Sequence, residues 1–304
     1  MTKQGNKKTV LITGSGGLLG TELIEQLLDC GNWQVIAMTS NVNNVVNKFN
    51  NDKLLVVSND SWIEQLSNRN IKVDTLINCA FPRTSKPEEL AQGIPFTERL
   101  ITDSINFGIE NIINISSQSV YTQKQKEDVT EKSAVQPESL YGMTKYACER
   151  VVSILCETND VNYSNIRLGS LVSIELTSRM TNRFIENALN NKKITIDKNN
   201  IDISYLHVKD AANALVFMIN KFDKKWKNIY NLGTFEKYSL NELTSLINKY
   251  LREKNESFLE YNLKDNTNSY NNFIDSSIFY KEFDWKPSIT ITQIIDDIYI
   301  SMKE

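Results

Sequence analysis

Tyr141-Gly-Met-Thr-Lys145 is the stretch of this 304-residue chain with the most chemistry in it. A tyrosine and a lysine four residues apart share one face of a helix. An ammonium beside a phenol lowers the phenol's pKa from ~10 towards neutrality. A tyrosine so placed can take a proton from a substrate hydroxyl and give it back. Ser117 stands 24 residues before Tyr141, at the end of an apolar β-branched run, and can hydrogen-bond the same substrate oxygen. A Tyr/Lys pair at this spacing is common by chance, so its meaning depends on what surrounds it.

Thr13-Gly-Ser-Gly-Gly-Leu-Leu-Gly20 supplies the context. It follows a strand-like run and opens a helical one, as a dinucleotide-binding turn requires. Gly14 permits the tight turn, Gly17 leaves room for a pyrophosphate, and Gly20 lets the helix pack on the strand. The amides of Gly14, Ser15, Gly16, Gly17, Leu18 and Leu19 then face the anion at the positive end of the helix. A P-loop is excluded, because no Gly-Lys-Ser/Thr follows. About 20 residues on, an NAD site wants a carboxylate for the ribose 2′-hydroxyl. The chain offers Thr39 and Ser40 instead, with no arginine beside them. The cofactor is therefore expected to be NAD or NADP, with a lean to NADP. Asp60, with Ser61 beside it, stands where a carboxylate meets the adenine; a solvated loop is the competing account of Asp60.

These groups need a scaffold that brings strand ends together. Apolar runs at 9–13, 34–38, 53–57, 73–80, 111–116 and 162–169 read as strands. Helical patterns occupy 18–28, 88–107 and a long segment from Ser139 onward. Near-continuous apolar strands alternating with helices predict an α/β fold, a doubly wound parallel sheet of the Rossmann type. Asparagine clusters at 41–51 and 262–272 read as loops. The last third is less regular. Helices are expected at 180–190, 209–221, 239–252 and near the C-terminus, with strands at 193–197, 202–206 and 228–233. We expect a dinucleotide domain over 1–170, to which about 200–235 returns, and a smaller substrate-binding lobe over 171–304, beside the carboxyl ends of the strands where ligands of such sheets bind.

Composition narrows the classes. Thirty-four basic against 37 acidic residues give a net charge of −3, with no basic stripe, which argues against a nucleic-acid partner. No apolar run approaches the ~20 residues that span a bilayer, so no membrane is expected. The four cysteines form no C-x-x-C pair and read as reduced, buried thiols, and with no export signal at the N-terminus a cytoplasmic location is expected. The single histidine, His207, lies between apolar neighbours and reads as a packed side chain; no metal site is expected.

The motifs together resemble the extended short-chain dehydrogenase/reductases, in their NAD-dependent epimerase/dehydratase branch. TGSGGLLG is similar to the family's TGxxGxxG, NCA (78–80) to its fourth-strand motif, ISSQSVY (115–121) to its serine-bearing fifth strand, and YGMTK to its YxxxK. RLGSLV (167–172), YLHVKDAANAL (205–215), YNLG (230–233) and residues 273–291 resemble later segments. The resemblance implies that Tyr141 exchanges the hydroxyl proton, that Ser117 orients the oxygen, and that Lys145 tunes Tyr141 and binds the nicotinamide ribose. It places Ala80 and Phe81 near the cofactor ribose, Ser117 and Gln118 towards substrate, and Arg83 where a residue faces substrate or cofactor; a surface arginine is the competing account of Arg83. The helices at 88–107 and 141–158 carry apolar residues beyond one core-facing stripe, including Leu100, Ile101, Ile105, Val151, Val152 and Leu155, and the resemblance implies a homodimer paired through them; burial against their own sheet is the competing account.

Two departures shape the expected function. The acidic pair of the family's 4,6-dehydratases is replaced by Gln118-Ser119, which demotes a dehydratase. The arginine that grips a sugar-nucleotide diphosphate is replaced by Ile203, leaving Arg167, Arg179 or Arg183 to substitute. The expected activity is an NAD(P)-dependent epimerase or ketoreductase acting on a sugar hydroxyl or ketone, nucleotide-linked. The alternatives are a reductase of a non-sugar carbonyl and a non-catalytic dinucleotide-binding sensor.

Overall fold

The computed structural model describes residues 7–82, 84–122, 124, 127–197, 201–221, 224–264, 270–271 and 273–304. Along the chain, β1 (Lys8–Thr13), α1 (Leu18–Cys30), β2 (Trp33–Thr39), α2 (Val42–Phe49), β3 (Leu54–Ser58), α3 (Trp62–Ser67) and β4 (Thr75–Asn78) alternate strand with helix. They continue through α4 (Pro87–Ala91), α5 (Gly93–Asn106), β5 (Asn111–Ser117), a 3-10 turn at Gln118–Val120, α6 (Leu140–Thr158) and β6 (Asn162–Leu168). Then come β7 (Ser170–Val172), α7 (Met180–Leu189), β8 (Ile194–Asp197), β9 (Ile201–Ile203), β10 (Tyr205–His207), α8 (Val208–Ile219) and β11 (Ile229–Leu232). The chain ends with β12 (Tyr238–Ser239), α9 (Leu240–Glu253), β13 (Tyr261–Lys264), β14 (Tyr270–Asn271), α10 (Ser277–Phe283) and α11 (Ile291–Lys303).

Seven strands form the expected parallel sheet, in the order β11-β6-β5-β4-β1-β2-β3. The order runs outward in both directions from β1 and β4, so their carboxyl ends flank the crevice of a doubly wound fold. The strands are buried on both faces: Val10, Leu11, Ile12, Ile36, Leu76, Ile77, Ile112 and Ile113 expose nothing.

The chain divides into two compact units. The first takes in the chain to Tyr121, Val135–Arg167 and Ala212–Tyr230; the second takes in Thr122–Ala134, Leu168–Ala211 and Asn231–Glu304. The core of the first gathers Leu11, Ile36, Met38, Trp62, Leu76, Ile101, Ile112 and Val152. That of the second gathers Val172, Phe184, Ile185, Leu243, Ile247, Leu251, Ile294 and Ile298. Buried Asp210 pins the chain before α11, accepting from the backbone N–H of Ser288 at 3.0 Å and of Ile289 at 2.9 Å.

Several sequence-based expectations are corrected. The asparagine cluster at 41–51 is not a loop, because it contains α2. Asn41 caps that helix by accepting from the Asn44 N–H at 3.1 Å, Asn50 ends it in a left-handed conformation, and Val45 is buried. The helix expected over 88–107 is two helices broken at Gln92: Pro95 has no N–H to give to the turn before it, so α5 must start afresh. The strand expected at 202–206 is split by Ser204 into β9 and β10, and 262–264 belong to β13.

Candidate active site

The turn after β1 is shaped by what a side chain would strike. Gly14 has φ +64°, and a Cβ there would lie 2.8 Å from the Ala80 nitrogen. A Cβ on Gly20 would lie 2.3 Å from the Gly14 oxygen, so only glycine lets α1 sit this close to the turn. Gly17 differs: its backbone is extended, and the one atom within reach of an added Cβ is the Gly14 oxygen at 3.1 Å. Gly16 and Gly17 are exposed, and α1 has no side-chain cap and no acid in its first turn. The helix thus presents bare amides beside open space, which suits an anion. Ser15 is buried, and its hydroxyl donates to the Met38 carbonyl at 3.0 Å, tying the turn to β2.

A ladder of buried polar side chains crosses the strands beneath. The Thr13 hydroxyl donates to Asn78 Oδ1 at 2.7 Å, Asn78 Nδ2 to Asn114 Oδ1 at 3.0 Å, and Asn114 Nδ2 to Asn165 Oδ1 at 2.8 Å. The Ala80 N–H donates to Thr13 Oγ1 at 3.2 Å, so the chain leaving β4 is held against the glycine turn. Sequence reading did not single out this ladder. Its signal was present as lone asparagines inside otherwise apolar buried strands.

At the end of β5, Ser117 Oγ accepts from the Ser119 N–H at 3.1 Å and so starts the 3-10 turn. The amino end of α6 approaches that turn closely: a Cβ on Gly142 would lie 2.2 Å from the Ser119 oxygen. Ser139 caps α6 by accepting from the Gly142 N–H at 3.0 Å. The Lys145 ammonium donates to the Ile115 carbonyl at 2.7 Å and lies 3.9 Å from the centre of the Phe81 ring. Tyr141 meets the same ring edge-on, centroids 5.5 Å apart. Phe81 is thus shared by both, and Gly93 makes room for it. Burial pushes the Lys145 ammonium down to about 8, against pulls upward from Cys148, Cys79 and Glu149. Burial pushes the Cys79 thiol up to about 12, despite Lys145 nearby, which leaves that thiol protonated and unreactive at neutral pH.

The structure therefore brings Gly14–Leu19, Ala80, Phe81, Ser117, Gln118, Tyr141 and Lys145 to the carboxyl ends of β1, β4 and β5. Thr39 ends β2 and Ser40 follows it; the Thr39 hydroxyl accepts from the Asn41 N–H at 3.1 Å, and Ser40 is exposed. Lys48, the nearest basic residue in the sequence, donates to Thr21 at 3.1 Å. Asp60 is exposed after β3, and the Ser61 hydroxyl accepts from Gln65 at 2.7 Å. Arg83 lies outside the described residues. Arg183 is exposed on α7 of the second unit. Arg167 corrects its expectation as a substrate ligand: it is 2% exposed and its guanidinium is committed to Glu149 and Tyr121. Among the residues expected at a dimer contact, Leu100, Ile101 and Val152 are buried in their own unit's core.

Fold and site together define an NAD(P)-binding protein of the short-chain dehydrogenase/reductase type. Residues 10–233 match the model of the NAD dependent epimerase/dehydratase family, and the chain belongs to that family. It is 25% identical to a putative UDP-glucose 4-epimerase of Methanocaldococcus jannaschii, over 97% of this chain and 98% of that one. It is 23% identical to the dTDP-4-dehydro-6-deoxyglucose reductase of Escherichia coli, over 98% of each. Among solved structures, UDP-N-acetylglucosamine 4-epimerase from Bacillus cereus superposes with a TM-score of 0.81 at 22% identity, covering 98% of this chain and all of that one. UDP-glucose 4-epimerase from Bifidobacterium longum, in complex with NAD+ and UDP, superposes with a TM-score of 0.78 at 20% identity, over 97% and 98%. No helix of the described residues is long and apolar enough to cross a membrane.

Proposed function

We propose that this protein is an NAD(P)-dependent nucleotide-sugar epimerase or 4-ketoreductase. The carrying observation is the placement of Lys145 and Tyr141 on one face of α6, both against Phe81, with Lys145 anchored to the end of the strand that bears Ser117. The glycine turn fits a dinucleotide, since Gly17 leaves open the space that a pyrophosphate needs and the α1 amides carry no cap. When bound, NAD or NADP supplies a hydride acceptor and donor. Gly14–Leu19 hold its phosphates, Ala80 and Phe81 flank it, and Asp60 and Ser61 meet its adenine. Thr39 and Ser40 offer hydroxyls to either a ribose or a 2′-phosphate, so neither cofactor is repelled and the lean to NADP stays modest.

Tyr141 takes the proton of a substrate hydroxyl, or returns it to a ketone, at its phenol oxygen. Ser117 holds that oxygen by a hydrogen bond, with Gln118 beside it. Lys145 remains seated under Ile115, favours the phenolate by its charge, and donates to the cofactor's ribose. No carboxylate stands at positions 118 and 119 to drive the elimination of a dehydratase. Arg183 is the guanidinium we assign to a substrate phosphate, in place of Arg167. The buried Ile203, where a diphosphate clamp is expected, supports a second reading, a reductase of a non-sugar carbonyl.

We also propose a homodimer in the cytoplasm. Leu140, Met143, Ala147, Val151 and Ile154 form an apolar stripe on α6, and Leu140, Met143 and Ile154 are 52%, 48% and 57% exposed. Native mass spectrometry of the purified protein tests the reading: a retained NAD or NADP, exchangeable for its reduced form, supports it. A protein that neither retains nor takes up either cofactor ends it.

A further inference from the structure

Phe81 lies just past the end of β4, on backbone that is pinned before it and after it. The Ala80 N–H donates to Thr13 Oγ1 at 3.2 Å, and Pro82 confines Phe81 to extended conformations. The start of α5 makes a slot for the ring: a Cβ on Gly93 would lie 2.6 Å from Phe81 Cε2 and 3.1 Å from its Cζ. The Gly93 carbonyl accepts from the Cys148 thiol at 3.5 Å, which ties that slot to α6. Two more side chains of α6 close on the ring. The Lys145 ammonium lies over its face, 3.9 Å from the centre, and Tyr141 meets it edge-on, with centroids 5.5 Å apart and the ring planes at 85°.

Resting on the reading of Tyr141 and Lys145 given above, we propose that Phe81 is a positioning residue of the proton-transfer set: its face holds Lys145 as an ammonium against the Ile115 carbonyl, and its contact with Tyr141 sets the phenol ring beside that charge. The face of an aromatic ring carries negative partial charge and attracts a cation, the more so where water is excluded. Lys145 is 5% exposed, so the ring stands in for solvation that burial removes. The titratable groups that act on Lys145 are Cys79 after β4 and Cys148 and Glu149 on α6, with Tyr141 on the same ring. From β5 and α5 the site takes the Ile115 carbonyl and Gly93, neither of which titrates. The ring carries no net charge, so exchanging it for an alkyl side chain of similar bulk isolates its effect.

The test is NMR of the full chain with lysine labelled at Cε by heavy carbon, the Lys145 signal being assigned by its loss in Lys145→Arg. Protons over a ring face resonate upfield of their ordinary position. The Lys145 Cε protons are therefore expected upfield in the parent and in Phe81→Tyr, which keeps the ring, and at their ordinary position in Phe81→Leu. The Lys145 titration midpoint should fall by about half to one pH unit in Phe81→Leu and stay within a few tenths in Phe81→Tyr. Should Phe81→Leu not fold, Phe81→Met fills the same slot with a flexible apolar chain and should lower the midpoint likewise. Turnover of UDP- or dTDP-linked sugars should drop at least about tenfold in the alkyl variant and recover to within a few-fold of the parent in Phe81→Tyr. An ordinary Lys145 signal in the parent, an unchanged midpoint in the folded alkyl variant, or equal effects of the Tyr and alkyl substitutions would overturn the proposal. Cofactor binding and turnover by the parent protein are measured separately, so a failure of the functional reading shows there and not in the Lys145 signal.

Discussion

Lys145 is placed against its own solvation. An ammonium that is 5% exposed and whose pKa falls from the ordinary 10.5 to about 8 costs the fold about 3 kcal/mol at neutral pH, at most. The unfolded chain keeps that proton up to 10.5 while the folded one releases it near 8. Between those values the unfolded state binds more protons, so this group makes stability rise with pH across the window, with the full deficit below it. Lys145→Met keeps most of the side chain's bulk and drops the charge. We expect the variant to resist denaturant better than the parent at pH 7, with the gap closing towards pH 10.5, while cofactor affinity falls. A parent protein more stable than Lys145→Met at pH 7 would contradict this. Such a sacrifice of stability supports the role proposed for Lys145.

At the scale of elements, the strands and helices that carry the site follow from local pattern. The glycine spacing, the strand-end serine and the Tyr141/Lys145 pair are all legible in the sequence because each is a short-range signal. What escaped was long-range pairing. Nothing near Glu149 in sequence announces that Arg167, 18 residues on, will bury its guanidinium there. The ladder from Thr13 to Asn165 likewise joins side chains from four strands. The helix α2 was hidden because asparagine signals loops and caps alike, and here Asn41 and Asn50 are caps. The glycine turn gives a sharp test. Gly17 has an extended backbone that any residue adopts, and an added Cβ meets the Gly14 oxygen at 3.1 Å, so Gly17→Val should still fold, with a melting temperature somewhat below the parent's. Its isopropyl group fills the space meant for a pyrophosphate, and cofactor affinity measured by fluorescence should drop at least about a hundredfold. Unchanged titration curves would remove the turn from the binding site.

For the molecule as a whole, membership of the NAD dependent epimerase/dehydratase family supports an NAD-dependent enzyme of the extended short-chain dehydrogenase/reductase type. Relatives named as 4-epimerase, as reductase and as 4,6-dehydratase all match, at 25%, 23% and 23% identity. The proposed assembly rests on α6, which packs Val152 and Cys156 into its own unit's core, meets α5 through Cys148, and leaves Leu140, Met143 and Ile154 of its apolar stripe exposed. An isologous pairing of that stripe with its copy predicts a dimer of twice 34.8 kDa by light scattering at micromolar concentration. Met143→Glu with Ile154→Glu should release monomers that still bind cofactor. A 34.8 kDa species for the parent protein would refute the pairing.

The central claim is that Tyr141 moves the proton while the rest of the site holds the cofactor. Tyr141→Phe removes the phenol oxygen and keeps the ring against Phe81. The decisive measurement pairs cofactor affinity with turnover of UDP- and dTDP-linked sugars, for parent and variant on the same preparation. The account predicts affinity within a few-fold of the parent and turnover lower by about a hundredfold or more. Turnover within a few-fold of the parent would show that another group carries the proton, and the assignment of Tyr141 would be wrong.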